Sequence, residues 1–503
     1  MRAAVTASSQ PAADAGVAAI SAGGNAVDAA VAAALASCVA DPCNTGIGGY
    51  GGYMIIQRPG EHAACVQFPL WAPSNMPREE LAREYPDDGP ACSSVPNVVG
   101  GLSRALAEFG SLTWAEVSEP AIALARDGVL ANGTTLRAFE QHRHRAFIPE
   151  CFEFLEDGAG PKRRLIFRQP RLAATLEKLA EQGPDWFYSG PIGELANRAW
   201  RDAGVSVARS DWFEESKAVE VAEAARIGIG SLMVYSTPLG ISGSACVFAF
   251  LAAAKRLASE HPLEDPATLA ELAKSMASIW GYRFGLSGGN DFTSISIESW
   301  VDAALAYPAS PDSLAGPVGH TAHLNAVDPQ GMLAALTFTH GPVWFGGRWA
   351  LPGTGIIMNG GMHNFTRPNV VERNGRLFGV SNMAPTIAVD ERGGRIAIGC
   401  PGARRIPTNI ALTLARHAFA GCDLQEALSR GRLHAENKGS ASYEATRLGP
   451  PVKSELHSRF DEVVTENWED YFGPLTAVRH DVDGRVQAAI DDRETPGYLA
   501  RLP

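Results

Sequence analysis

The stretch Gly319-His320-Thr321-Ala322-His323-Leu324-Asn325-Ala326-Val327-Asp328 decides the fold. From Thr321 onward polar and apolar residues alternate, the period of a strand with one apolar face. Asp328-Pro329-Gln330-Gly331 has turn chemistry, and Met332–Thr339 reads as a second strand. The pattern therefore predicts a hairpin of Thr321–Asp328 with Met332–Thr339. It recurs twice downstream. Thr386–Asp390 and Arg395–Gly399 flank Glu391-Arg392-Gly393-Gly394, and Leu475–His480 and Val486–Ile490 flank Asp481-Val482-Asp483-Gly484. Helices are expected near Pro407–Phe419 and Leu424–Arg430. Hairpins interleaved with helices predict an α+β fold: an αββα sandwich of two stacked antiparallel sheets flanked by helices, rather than a βαβ Rossmann sheet.

Toward the N-terminus the signals are mostly helical. Pro11, behind the cap candidates Ser8 and Ser9, opens an Ala-rich helix to about Ser21. Gly23-Gly24 stops it, and Asn25 caps a helix from about Ala26 to Val39. Strands are expected at Tyr53–Gln57 and Ala63–Phe68. From Leu102 to Leu305 the chain reads mostly helical, for example at Leu102–Phe109, Thr113–Arg126, Leu172–Glu181 and Ser244–Leu257. No internal repeat or low-complexity linker interrupts it.

Composition excludes several functions. The 503 residues carry 43 basic and 55 acidic side chains, a formal net charge of −12, and no Lys/Arg run. A phosphate-backbone binder needs the opposite balance, so no nucleic-acid partner is expected. The longest apolar runs, near Ala29–Ala36 and Ala245–Ala254, fall short of the roughly 18 residues that span a bilayer. No apolar signal segment follows Met1-Arg2, so no membrane association and a cytoplasmic location are expected. The eight cysteines form no CxxC pair and read as buried thiols.

Generic catalytic signatures are missing. There is no HExxH, and Gly240-Ile241-Ser242-Gly243-Ser244 has the wrong spacing for GxSxG. His142-Arg143-His144 and the pair His320 and His323 are too few ligands for a metal site. No metal and no cofactor are expected. The Gly46-Ile47-Gly48-Gly49 loop fits neither a dinucleotide fingerprint nor a P-loop.

The opening stretch does resemble the GxTTHxSVVD segment that begins the small subunit of gamma-glutamyltransferases, which are N-terminal-nucleophile (Ntn) hydrolases. Further similarities follow in order along the chain. They are Gly23-Gly24-Asn25-Ala26-Val27-Asp28 with the alanines after it, Gly46–Gly49, Trp114–Ala125, Phe187–Pro191 and Pro352-Gly353-Thr354-Gly355-Ile356. The resemblance implies an Ntn αββα sandwich that cuts itself at His320–Thr321. The products would be a largely helical large subunit, residues 1–320, and a small subunit, residues 321–503, together one composite domain. It leaves room for a homodimer of such heterodimers.

The same resemblance assigns roles. Thr321 becomes the nucleophile, and its freed α-amino group, with an ordinary pKa of about 7.7–8.0, accepts the hydroxyl proton. Thr339 matches a second threonine set against the nucleophile. Gly399-Cys400-Pro401-Gly402-Ala403 matches the loop whose backbone N–H groups, here those of Gly402 and Ala403, bind an oxyanion. Cys400 is expected to be a packed loop residue.

The glutamyl-binding residues depart from the family. Pro69 replaces the arginine that clamps the α-carboxylate. Ser381-Asn382 replaces paired serines, Asn364 replaces an acidic residue, and Gly341 replaces an asparagine. Proline cannot substitute for a bidentate arginine. The expected substrate is therefore a small amide or acyl compound that is not gamma-glutamyl. His340, Gly341, His363, Asn364, Ser381, Asn382 and Arg405 are candidate binding residues, with Trp344 and Trp349 near them. Hydrolysis is favoured over transfer. The alternatives are a carbon–carbon bond-cleaving member of an alkylproline-type pathway and an unprocessed, non-catalytic binding homologue.

Overall fold

The hairpin forms with His320–Val327 paired antiparallel to Leu333–Gly341. In this computed structural model the described residues are 2–72, 85–157, 164–205, 219–238, 240, 243–286, 296–308, 320–365, 370–373, 376–466, 471–493 and 497–502. Ile241, Ser242 and Gly319, which enter the motifs above, lie outside them.

Asp328 shows how the turn is tied down. One carboxylate oxygen accepts the N–H groups of Gln330 at 3.0 Å and Met332 at 2.9 Å, closing the turn. The other accepts the N–H of Ala26 at 3.0 Å, in the first turn of the helix Ala26–Ala40. A carboxylate at a helix N-terminus gains from the helix dipole. Asn25 caps that helix as expected, in a reciprocal pair with Asp28. Asp28 also accepts the N–H groups of Ser111 and Leu112, so this acidic residue serves structure.

Two antiparallel sheets result. The first runs, edge to edge, Tyr498–Leu502, Ala3–Ala7, His320–Val327, Leu333–Gly341, Gly51–Gln57, Ala64–Phe68 and Glu220–Glu223. The second runs Val486–Ile490, Thr476–His480, Arg395–Gly399, Thr386–Asp390, Leu232–Ser236 and Ala225–Ile229. Both mix strands from before and after residue 320, so the two parts of the chain interlock.

The alternation in the hairpin sorts its side chains between two cores. Ala322, Leu324 and Ala326 join the helices Gln10–Ser21 and Ala26–Ala40 on the outer face of the first sheet. All fifteen residues of Ala26–Ala40 are buried, and its alanines allow close packing. Val327, Leu333 and Ala335 belong to the other core, which also contains the second sheet and the helices Ser244–Ala258 and Arg405–Phe419. Thr321, His323 and Asn325 alternate with the outward set and therefore face the second sheet. The αββα sandwich is thus present.

Several elements depart from the sequence reading. Ala3–Ala7 is a buried central strand, and the helix begins at Gln10. The nominally helical middle also supplies the strands Glu220–Glu223, Ala225–Ile229 and Leu232–Ser236. These strands have four or five residues, too few to establish a period, and their pairing comes from the sheets they complete. Tyr498–Leu502 was unforeseen for the same reason.

Candidate active site

The hairpin register shifts between His320 and Ala322. His320 lies opposite Gly341 and Ala322 opposite Phe338, so the second strand carries an extra residue beside Thr321. Such a bulge re-aims side chains. Here the hydroxyl of Thr339 donates to the carbonyl oxygen of His320 at 2.5 Å. Its own oxygen accepts the Gly341 N–H at 2.9 Å, which fixes the rotamer. The second threonine therefore holds the carbonyl of the His320–Thr321 bond. Thr321 is buried, 6% exposed. Beside it the His320 ring lies 5.1 Å from that of Trp344. Burial, reinforced by the charge of Arg348, brings the His320 pKa down to about 3.

Below Thr321 on the same strand face is a closed polar network. His323 contacts the Thr337 hydroxyl through Nδ1 at 2.8 Å and Oδ1 of Asn325 through Nε2 at 3.0 Å. An amide oxygen only accepts, so Nε2 carries the proton and Thr337 donates to Nδ1. The Asn325 amide then donates to Thr6 at 3.1 Å and to the Thr476 carbonyl at 3.0 Å. Burial lowers the His323 pKa to about 4, which keeps the ring neutral. That ring packs on Gly399, where a β-carbon would lie 2.3 Å away. The strand that carries Thr321 thus abuts the strand leading into the loop of Gly399–Ala403.

In that loop Gly402 has φ +127° and Ala403 φ +52°. Among the described residues, neither N–H has a hydrogen-bond partner, whereas the Gly402 carbonyl accepts from Arg405 at 3.0 Å. Ala403 keeps its donor in a left-handed conformation, which costs an alanine roughly 1–2 kcal/mol. Cys400 is fully buried and its thiol is pushed up to about 12, so it behaves as packing.

The recognition segments converge in part. Leu70, next to Pro69, packs against Gly361 and Gly379, and its carbonyl accepts from Gly379 at 3.1 Å. The chain segments at 69–72, 361–364 and 379–382 therefore adjoin. Pro69 itself is buried, and its carbonyl accepts from Asn97. Gly341 lies against Gly360, and the half-buried His363 follows it. Asn364 lies near the buried Tyr50 hydroxyl, and its amide nitrogen has no hydrogen-bond partner among the described residues. The Ser381 oxygen accepts the Met383 N–H, and the Ser381 carbonyl accepts from Arg283. The Asn382 carbonyl packs against Gly243.

Two expected binding residues are placed elsewhere. His340 is 1% exposed, its ring packed on Gly46 and its pKa brought down to about 3 by burial. Arg405 stacks 4.3 Å above the Tyr471 ring and donates to the Tyr471 carbonyl. Both are interior residues in this arrangement: His340 on the buried strand Leu333–Gly341, and Arg405 at the first turn of the helix Arg405–Phe419, against Tyr471. Arg348, absent from the sequence reading, faces His320, His142 and His363 closely enough to disfavour their protonation. Its only sequence signal is a charge between two glycines and a tryptophan.

Among the described residues, no helix is long and apolar enough to cross a membrane. The gamma-glutamyltranspeptidase family model matches residues 12–500. Glutathione hydrolase proenzyme from Escherichia coli K12 is 27% identical, covering 95% of this chain and 88% of that protein. The proenzyme of the same name from Pseudomonas aeruginosa is also 27% identical, covering 94% and 90%. Cephalosporin acylase from Bacillus halodurans superposes with a TM-score of 0.83 over 100% of this chain and 96% of that one; at 20% identity this likeness concerns the fold. With the threonine pair on paired strands and the match spanning nearly the whole sequence, the chain belongs to the gamma-glutamyltranspeptidase family and is an Ntn enzyme of gamma-glutamyltransferase type.

Proposed function

We propose that the chain cuts itself between His320 and Thr321 and then hydrolyses a small amide, other than a gamma-glutamyl compound, through an ester on Thr321. The observation that carries this reading is the Thr339 hydroxyl on the His320 carbonyl. A donor at that oxygen stabilises the negative charge that develops when Thr321 Oγ1 attacks the adjacent carbon. The C–N bond breaks, the hydroxyl proton passes to the leaving nitrogen, and an ester links His320 to Thr321. Water then cleaves that ester. It leaves a carboxylate on His320 and a free amine and hydroxyl on Thr321. The pieces have 320 and 183 residues.

In turnover the free amine accepts the hydroxyl proton as Oγ1 attacks the substrate carbonyl. The N–H groups of Gly402 and Ala403 receive the oxyanion. The substrate amine leaves with a proton, and water releases the acid. The exclusion of gamma-glutamyl substrates rests on Pro69, which offers no cation, and on Asn364, which offers no charge to an ammonium.

Intact-protein mass spectrometry tests the reading. Wild type should resolve into the two pieces, and Thr321→Ala should remain a single 503-residue chain without turnover. Removing the central nucleophile of a hydrolase costs on the order of 10⁶ in rate. A wild-type chain that stays whole on prolonged incubation would sink the proposal. Robust release from a gamma-glutamyl anilide would overturn the substrate exclusion alone.

A further inference from the structure

A cavity of about 500 Å³ is lined among others by Asp88, Arg145, Phe147, Glu150, Arg348 and Trp349, and Arg348 also faces His320. Its charges are mostly spoken for. Arg145 pairs with Asp88, and Arg171 pairs with Glu150, which also accepts the Gly353 N–H at 2.9 Å. Arg348 differs. Among the described residues it has neither an ion-pair nor a hydrogen-bond partner for its side chain, and its Nε is buried. The three histidines it faces, His142, His320 and His363, are shifted toward the neutral form and supply no compensating charge. Asp87 acts on His363 from the exposed side.

The backbone holds this cation in place. Phe345 has φ +60° and Arg348 φ +51°, and the Arg348 N–H donates to the Phe345 carbonyl at 2.8 Å. The Gly347 carbonyl accepts from Gly89 at 2.8 Å, and Trp349 is pinned by a 2.6 Å bond from its Nε1 to Ser93. Left-handed non-glycine residues mark places where the surroundings enforce a conformation. A partly buried guanidinium without a partner is costly unless something anionic reaches it.

We infer that Arg348 is the anchor for a carboxylate on the substrate, and that the substrate is a flat small molecule lying along Trp349 and Phe147. This rests on the proposed reading that an amide is attacked by Thr321. The cation lost at Pro69 is thus supplied from the loop after the second threonine strand, at a different place. A substrate held this way carries its negative charge where a gamma-glutamyl group would not place it.

The test uses the full-length Thr321→Ala protein, so that neither processing nor turnover enters. Benzoate is titrated, and tryptophan fluorescence and calorimetry are followed, with neutral benzamide as the comparison. Benzoate should quench the emission of Trp349 and bind at least 10-fold more tightly than benzamide. Arg348→Met should weaken benzoate at least 10-fold, and Arg348→Lys should retain part of the affinity with an unchanged circular-dichroism spectrum. Equal binding of benzoate and benzamide, or an unchanged affinity in a folded Arg348→Met protein, would overturn the assignment. So would a benzoate complex whose carboxylate sits on Arg145. Wild-type processing without benzoate binding removes this inference and leaves the proposed function intact. Benzoate binding by a wild-type chain that never cuts itself does the reverse.

Discussion

The seam between His320–Val327 and Leu333–Gly341 and the rim formed by residues 69–72, 361–364 and 345–349 are built on different principles. At the seam the proposed chemistry rests on strand and loop geometry: a bulged register that sets the Thr321 and Thr339 hydroxyls, the His320 carbonyl, and the N–H groups of Gly402 and Ala403. At the rim it rests on side chains, such as Pro69, Asn364 and Arg348, that can be exchanged without moving a strand. Chemistry carried by strand geometry tolerates little change in sequence, whereas recognition can drift freely. The chain accordingly matches its family throughout residues 12–500 while the clamp positions differ.

The sharpest way to break this contrast is to remove the hydroxyl that holds the His320 carbonyl. Thr339→Val deletes the hydroxyl on the His320 carbonyl and leaves the shape nearly unchanged. Loss of such a donor costs roughly 10²–10³ in rate. A time course of self-cleavage should slow by that factor, and Thr339→Ser should largely restore it. Cleavage of Thr339→Val at the wild-type rate would show that the backbone acts alone.

The seam also rests on neutral histidines, which makes a second prediction. The folded-state pKa falls to about 4 for His323 and about 3 for His340, against about 6.5 when unfolded. A histidine depressed in this way contributes its full stability above pH 6.5. That contribution is lost as the pH falls from 6.5 toward the folded values, because the unfolded chain takes up the proton first. Each group adds about 1.4 kcal/mol per pH unit, so the pair gives a slope near 3 kcal/mol per unit. Urea midpoints between pH 7 and pH 5 should fall steeply, and His323→Gln should reduce the slope by about 1.4 kcal/mol per pH unit. Equal pH dependence in the variant would show that His323 titrates normally.

The seam was legible because each step of it is local. Alternation gave the hairpin, Asp328-Pro329-Gln330-Gly331 the turn, and Asn25 the cap, and all three are found. The strand Ala3–Ala7 was not legible: five buried residues, four of them apolar, carry no period, and the strand exists because Tyr498–Leu502 and His320–Val327 flank it. The rim was legible only as a set of departures. Pro69 announces that a cation is gone. Nothing in the sequence tells which of the many arginines lacks a partner, since pairing is settled in three dimensions: Arg145 and Arg171 find carboxylates, and Arg348, among the described residues, does not. For the same reason the burial of His340 and the stacking of Arg405 escaped the linear reading.

Ala403 is where the two principles meet, because here a side chain has intruded on a backbone device. Its φ of +52° strains an alanine by roughly 1–2 kcal/mol, and glycine would relieve this. Glycine also gives back about 0.5–1 kcal/mol through the freedom of the unfolded chain. Ala403→Gly should therefore raise stability by at most about 1.5 kcal/mol, read as a small rise in the urea midpoint. Because the N–H is present in both, self-cleavage should proceed at nearly the same rate. A large loss of rate in Ala403→Gly would mean that the methyl group itself orders the loop. In that case the oxyanion site would belong with the rim, as a feature set by side-chain choice.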